Sequence, residues 1–208
     1  MARSPADTHR RLAADAGRDR VAEVVEATWR VIAREGLEGA SLRNIARELG
    51  VTTGVLTHYF RDKEDLLGFV LASIFDGLEV SNRPLLEEGP DVQLTVEALL
   101  RILPSSPGRV DWWKVWLAFT VAALSRPGQA QAHADKYAEL RRYWVNVMRR
   151  LQSAGFLKAD IDPVIEAETL VCLVDGIGVQ AVISPKALPA RKQRALLRAY
   201  FSKIARPE

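Results

Sequence analysis

Cysteine is almost missing from this 208-residue chain: Cys172 is the single one, so no internal disulfide can close. It lies in the apolar run LVCLV, where a buried thiol behaves as a small hydrophobe. Histidine is scarce as well. His9, His58 and His133 are scattered, no two hold metal-ligand spacing with an acidic partner, and no Ser or Cys sits in a recognisable nucleophile motif. No metal, no cofactor and no enzymatic role are therefore expected. No uncharged apolar run reaches the ~18 residues that a bilayer span needs. Residues 1–20, MARSPADTHRRLAADAGRDR, mix Arg and Asp without the apolar segment of a secretory signal. The expectation is a soluble, cytoplasmic protein with no membrane contact and with residues 1–18 as a flexible arm. Charge of one sign is missing too. The net charge is +3, and residues 1–65 carry eleven basic and eleven acidic side chains, while the basic excess gathers at 186–208. A nucleic-acid role for the N-terminal part must rest on positions rather than on bulk charge. Strand signals, internal repeats and low-complexity tracts are nearly or wholly absent, which leaves an all-α chain.

What the chain has is helical punctuation. Val21, Val24, Val25, Thr28, Val31 and Ile32 form one stripe that Gly36 ends, predicting a helix over about 19–35. Ser41 caps a short helix with Leu42, Ile45, Ala46 and Leu49 inward, and Gly50 stops it. Thr52 can cap a third helix, with Val55, Leu56, Tyr59 and Phe60 inward. Asp62, with Asp65 three residues on, caps a fourth that runs to about Leu78. Farther along, a break at 87–90 precedes a helix over 91–103, PSSPG at 104–108 reads as a loop, and 111–125 reads as a helix buried on nearly all sides. Pro127-Gly128 ends that helix, and a long amphipathic helix lined by Tyr137, Leu140, Trp144, Val147, Met148 and Leu151 follows until Gly155. Asp162-Pro163 opens another that runs to Ile183. Pro189 opens the last, striped by Leu196, Leu197, Tyr200, Phe201 and Ile204.

Two short helices joined by a tight glycine turn and braced by a longer one make a helix-turn-helix, whose second helix, 53–59, would enter the major groove. Thr52 opens that helix. Thr53, Thr57 and His58 offer groups for base edges or phosphates, Gly54 lets the backbone approach DNA, and Tyr59 can bond a phosphate while its ring packs inward. Lys63 in the first turn of the fourth helix, and Ser41 and Arg43 opening the second, suit phosphates. An ordinary helical bundle also has caps and glycine turns, so a loop between bundle helices is the competing reading.

The stretch SLRNIARELGVTTGVLTHYFRDKEDLL resembles the N-terminal domain of the tetracycline-repressor (TetR) family of bacterial regulators, in the order Ser41, Ile45-Ala46, Gly50-Val51, Gly54, Leu56, His58-Tyr59-Phe60, Lys63 and Leu66-Leu67. The resemblance covers residues 20–67. It implies a dimeric repressor with a helix-turn-helix domain over 19–65 and a larger helical domain over 66–208 for ligand and dimer contacts. Thr57 stands where the family often has tyrosine, so no target sequence carries over. WWKVWLAF and LVDGIGVQAVISPKALPARKQRALL resemble, more weakly, the choline-responsive BetI-like branch.

In that larger domain Trp112, Trp113, Trp116, Phe119 and Trp144 are either core or the lining of a pocket for an apolar or cationic ligand. Asp175 stands in an apolar helix and needs a cation, a cap, a partner subunit or solvent, and it could balance the charge of a quaternary amine. The GxG of Gly176 and Gly178 follows no strand and reads as close helix packing. The expected function is a homodimeric repressor that binds palindromic operator DNA and is released when a small-molecule inducer shifts helix four. Dimerisation is expected through the last two helices, with Leu197, Tyr200 and Ile204 extending the surface. A helical adaptor without a sensed ligand is the alternative.

Overall fold

A computed structural model describes residues 15–82, 85, 89, 91–125 and 127–207, with the side chains of 15–19, 75–82 and 127–129 left out. Nine α-helices occur among them: α1 (Asp15–Gly39), α2 (Leu42–Leu49), α3 (Thr53–Tyr59), α4 (Lys63–Asn82), α5 (Val92–Ile102), α6 (Pro107–Ser125), α7 (Pro127–Ser153), α8 (Pro163–Ile183) and α9 (Ala190–Ile204). Of the arm expected at 1–18, residues 1–14 lie outside the described residues and 15–18 belong to α1.

The chain divides into two compact units, Met1–Ile74 and Phe75–Glu208. The division falls within α4 rather than at 65/66, because Leu66, Leu67, Val70, Leu71 and Ile74 are all buried in the first three turns of that helix. In the first unit Val21, Val24, Ala27, Val31 and Ile32 form the inner face of α1, against which α2 packs. Gly36 has φ 72°, a backbone state open to glycine at little cost, and it interrupts α1 three residues before its end. Ser41 Oγ accepts from Asn44 N at 3.2 Å, and Gly50 closes α2 in the left-handed conformation, φ 68° and ψ 28°. Asp62 Oδ1 accepts from Asp65 N at 2.8 Å while Asp65 Oδ2 accepts from Arg61 N at 3.1 Å, a reciprocal cap on α4. Thr52 holds the cap position of α3 but makes no side-chain cap bond.

In the second unit α6 and α8 pack on α7 and on each other, and α9 packs on α5. Proline opens three of these helices, as its fixed φ and missing N–H suit a first turn. That rule moves two boundaries. α6 starts at Pro107, inside the expected loop 104–108, and Pro127 begins α7 instead of merely ending α6. The C-terminal end of α6 is not buried all round either: Val121 is 65% and Leu124 is 84% exposed. On α9 the stripe of Leu197, Tyr200, Phe201 and Ile204 is buried within the chain's own core, so it does not extend a dimer surface. Arg206 N donates to Phe156 O at 2.9 Å and Lys158 N to Ile204 O at 3.0 Å, tying the turn after α7 to the end of α9.

Candidate functional site

The first candidate is the exposed face of α3 in the N-terminal unit. Leu56 and Phe60 are fully or nearly fully buried, which fixes the helix by one side and turns Thr53, Gly54, Thr57 and His58 outward together. Thr52 is exposed beside them. The Thr57 hydroxyl donates to Gly54 O at 3.2 Å, which leaves its oxygen to accept and its methyl group to touch a base. His58 stands edge-on to the Tyr59 ring at 5.1 Å, and Tyr59 is half-buried. At Gly54 an added Cβ would meet nothing nearer than Thr52 Oγ1 at 3.7 Å. The chain's own packing therefore does not demand a glycine there.

The charges around α3 separate into paired and unpaired. Arg30 and Arg34 of α1 bond Glu48 at 2.8 and 3.1 Å, and Arg34 also bonds Glu35 at 2.9 Å. The carboxyl of Glu48 is held below its ordinary range, by the Arg30 hydrogen bond first and then by Arg34. Arg61 pairs with Asp65. Arg43 and Arg47, by contrast, are exposed one turn apart on α2 and hold no ion pair among the described residues. The sequence pattern singles out Arg43 but not Arg47. Lys63 Nζ donates to Glu38 O at 3.3 Å with two N–H bonds left for other acceptors, and Ser41 keeps its hydroxyl proton after capping α2.

The second candidate is a cavity in the C-terminal unit. It is a hollow partly open to solvent with about 30 Å³ of free space inside, and its walls are Trp112, Trp113, Trp116, Trp144, aliphatic groups of Ile102, Leu140, Val171 and Val174, and Asp175. The four tryptophans are buried, and so is Phe119 of α6, which does not line the cavity. Trp112 and Trp116 lie nearly parallel with ring centres 6.4 Å apart. Trp113 is anchored by its Nε1, which donates to Ile102 O at 2.7 Å. Its outer ring edge occupies the space of a missing side chain, because a Cβ on Gly178 would lie 2.0 Å from it. Glycine inside a helix costs about 0.5–1 kcal/mol relative to alanine, and this close approach is what it permits. At Gly176 a Cβ would meet nothing within 4 Å.

Asp175 carries the polarity of the cavity. Tyr137 Oη donates to its Oδ2 at 2.6 Å. Burial holds the carboxyl above its ordinary range, although the Tyr137 bond and the Arg141 charge pull it down. Burial, followed by that hydrogen bond, pushes the Tyr137 phenol up in turn. Arg141 lies over the Tyr137 ring at 5.4 Å and pairs with Glu168 at 3.2 Å. His133 is buried, stacks on Tyr137 at 5.1 Å and meets Thr120 Oγ1 at 3.1 Å; desolvation holds it below the ordinary imidazole range. Tyr137 and His133 are absent from the site expected from sequence. Tyr137 reads there as one member of a core stripe, and nothing local points to His133.

An aromatic box with one carboxylate suits a small cation. The chain matches the sequence profile of the bacterial regulatory proteins of the tetR family over residues 24–68 and that of the BetI-type transcriptional repressor C-terminal domain over residues 93–206. It is 34% identical to the HTH-type transcriptional regulator PksA of Bacillus subtilis over 168 residues, 78% of each chain. It is 30% identical to the HTH-type transcriptional regulator BetI of Vibrio vulnificus over 187 residues, 87% of this chain and 90% of that one. Among solved structures, a transcriptional regulator from Rhodococcus superposes with a TM-score of 0.76 at 26% identity, covering 88% of this chain and 95% of its own. A regulator from Saccharomonospora viridis, solved in complex with choline, superposes with a TM-score of 0.79 at 23% identity, covering 91% and 99%.

Proposed function

Because the chain belongs to the tetR family of bacterial regulatory proteins, is a transcriptional repressor rather than an enzyme, and carries a BetI-type C-terminal domain, we propose that it binds operator DNA as a dimer and releases it when a small organic cation fills the tryptophan cavity. The observation that carries the ligand class is Asp175: a half-buried carboxylate whose hydrogen-bond donor is a neutral phenol, set in a wall of four indoles. A quaternary ammonium ion would lay its methyl groups on the indole faces and its charge beside the carboxylate. The choline held by the Saccharomonospora viridis regulator supports that class.

On the DNA side, Thr53, Thr57 and His58 read base edges, with Gly54 allowing close approach. Thr52, Ser41, Arg43, Tyr59 and Lys63 set the protein on the phosphates. The dimer forms through α8 and α9, on whose outward side Ile165, Cys172, Ile183 and Leu196 are exposed, and it sets two reading helices about 34–36 Å apart on a palindrome. A cytoplasmic site follows from the operator. The ligand lowers operator affinity only by preferring the state that does not bind DNA, and coupling of this kind is typically ~1–3 kcal/mol, about 5–150-fold. Intrinsic tryptophan fluorescence titrated with choline and tetramethylammonium, beside operator retention at the same concentrations, tests the reading. Quenching with operator release is the expected result, and binding without any change in DNA affinity would remove the sensor role.

A further inference from the structure

The cavity has a second-layer determinant that does not touch its space. Trp113 is a wall residue, and the atoms of its outer ring edge lie 2.0, 2.2 and 2.3 Å from where a Cβ at position 178 would stand. Carbon atoms in contact rest at about 3.5–4.0 Å, so any side chain at 178 requires the indole and α8 to move apart. Trp113 is only 2% exposed and is held at its Nε1 by Ile102 O. The Trp112 ring stands edge-on to it at 5.8 Å, and the unfilled volume it borders is the cavity. The space open to the indole is therefore the space an inducer would use.

We propose that Gly178 is the specificity-determining position of this site: by letting the Trp113 ring sit back into α8 it sets the size of the cavity, and hence the largest inducer admitted. This rests on the reading of the cavity as the inducer site. It assigns a role to one half of the Gly176-Gly178 pair and leaves the other out, since a Cβ on Gly176 meets nothing. Gly178 acts through Trp113 and touches no ligand, so it is a positioning residue. Trp113→Phe removes the three indole atoms that overlap the Cβ position, so the two positions are expected to be coupled.

The test has one arm that is independent of the cation. Xenon enters apolar space, and eight of the nine wall residues are apolar or aromatic, so xenon NMR on the wild type, Gly178→Ala, Trp113→Phe and the double variant reads the space directly. The wild type is expected to bind xenon, Gly178→Ala to lose it, and the double variant to recover it. In the second arm, fluorescence titration with tetramethylammonium and the bulkier tetraethylammonium is expected to show a loss of about tenfold or more for the larger ion in Gly178→Ala, well beyond the loss for the smaller one, since a methylene in a tight pocket is worth about 10–200-fold. The double variant restores the larger ion. A simple loss of stability would weaken both ions alike.

Unchanged xenon uptake in Gly178→Ala, or a wild type without xenon, overturns the proposal. If Gly178→Ala fails to fold, the double variant decides: recovery of fold and xenon upholds it, and failure of both overturns it. A wild type that takes xenon but neither ammonium ion removes the cation reading while the xenon series still settles Gly178.

Discussion

The Tyr137 hydroxyl reaches Asp175 Oδ2 at 2.6 Å and so joins α7 to α8 beside the tryptophan cavity. Arg141, whose charge acts on this carboxyl, is engaged by Glu168 and by the face of the Tyr137 ring. The carboxylate therefore depends on the phenol. Tyr137→Phe is expected to leave it without that donor and to cost about 0.5–1.5 kcal/mol in unfolding free energy, the net worth of a hydrogen bond at a half-buried site. Asp175→Asn keeps a carbonyl oxygen for the same donor and should cost less. Yet it should lose most of the response to choline, because an amide offers no charge. Denaturation curves run beside ligand titrations check both halves; equal ligand affinity in wild type and Asp175→Asn would show that the carboxylate does not meet the cation.

Acidity gives an independent check on the same group. Burial first, against the opposing pull of Tyr137 and Arg141, holds the Asp175 carboxyl above its ordinary range. Between the ordinary and the raised value the unfolded chain has already given up the proton that the folded chain retains, so this group's contribution to stability is present at low pH and lost as pH rises through the window. A cation selects the ionised carboxylate, so its affinity should rise with pH over the same window. Relative to Asp175→Asn, the ligand-free wild type is expected to lose stability as pH rises above the ordinary carboxylate range, with choline affinity rising over the same interval. Calorimetry of the two proteins across that range measures both trends, and a wild type that gains stability, or loses choline affinity, as pH rises would rule the assignment out.

Local signals carried the helix-turn-helix. Ser41, Gly50 and the Asp162-Pro163 pair act within a few residues of themselves, and the structure uses each of them as a cap. Asp175 was conspicuous for a similar reason, as a carboxylate among apolar neighbours. Its donor was not, because Tyr137 lies 38 positions away and fits a core stripe equally well. Gly176 and Gly178 look alike in sequence, while only Gly178 has Trp113 against it. Periodicity also tells which residues of α9 share a face without telling what covers it. Leu197, Tyr200 and Ile204 are covered by the chain's own core, and Leu196 and Ala199 are left outward.

That correction relocates the expected dimer contact. Ile165 is 60% and Ile183 is 74% exposed at opposite ends of α8, with Cys172 exposed between them. A two-fold copy packed on this face would bury all three. Ile183→Asp is expected to shift the chain to monomer at micromolar concentration with its helix content unchanged, and to weaken operator binding because one subunit reads only half of a palindrome. Leu197→Asp should instead unfold the C-terminal unit, since it places a charge in the core. Sedimentation equilibrium and circular dichroism separate the two effects; a wild type that sediments as a monomer would refute the arrangement.

The DNA face allows a sharper separation, because at Gly54 stability and binding should move in opposite directions. A methyl group at 54 fits the chain, with its nearest neighbour at an ordinary contact distance of 3.7 Å. Alanine also loses less backbone freedom than glycine in a helix, so Gly54→Ala should leave the protein as stable or more stable, by up to about 0.5–1 kcal/mol. If α3 enters the groove by the proposed face, the same methyl group stands between backbone and DNA, and operator affinity should fall. Lys63→Ala is expected to act differently: it removes one phosphate contact, weakens binding to every sequence alike, and lowers the slope of log affinity against log salt by about one. His58→Ala or Thr53→Ala should mainly relax the base preference at one position, by ~1–3 kcal/mol. Titrations of the four variants against operator and base-substituted operators at several salt concentrations distinguish these roles. A Gly54→Ala protein that is more stable and binds operator as well as the wild type would show that α3 does not approach DNA by this face.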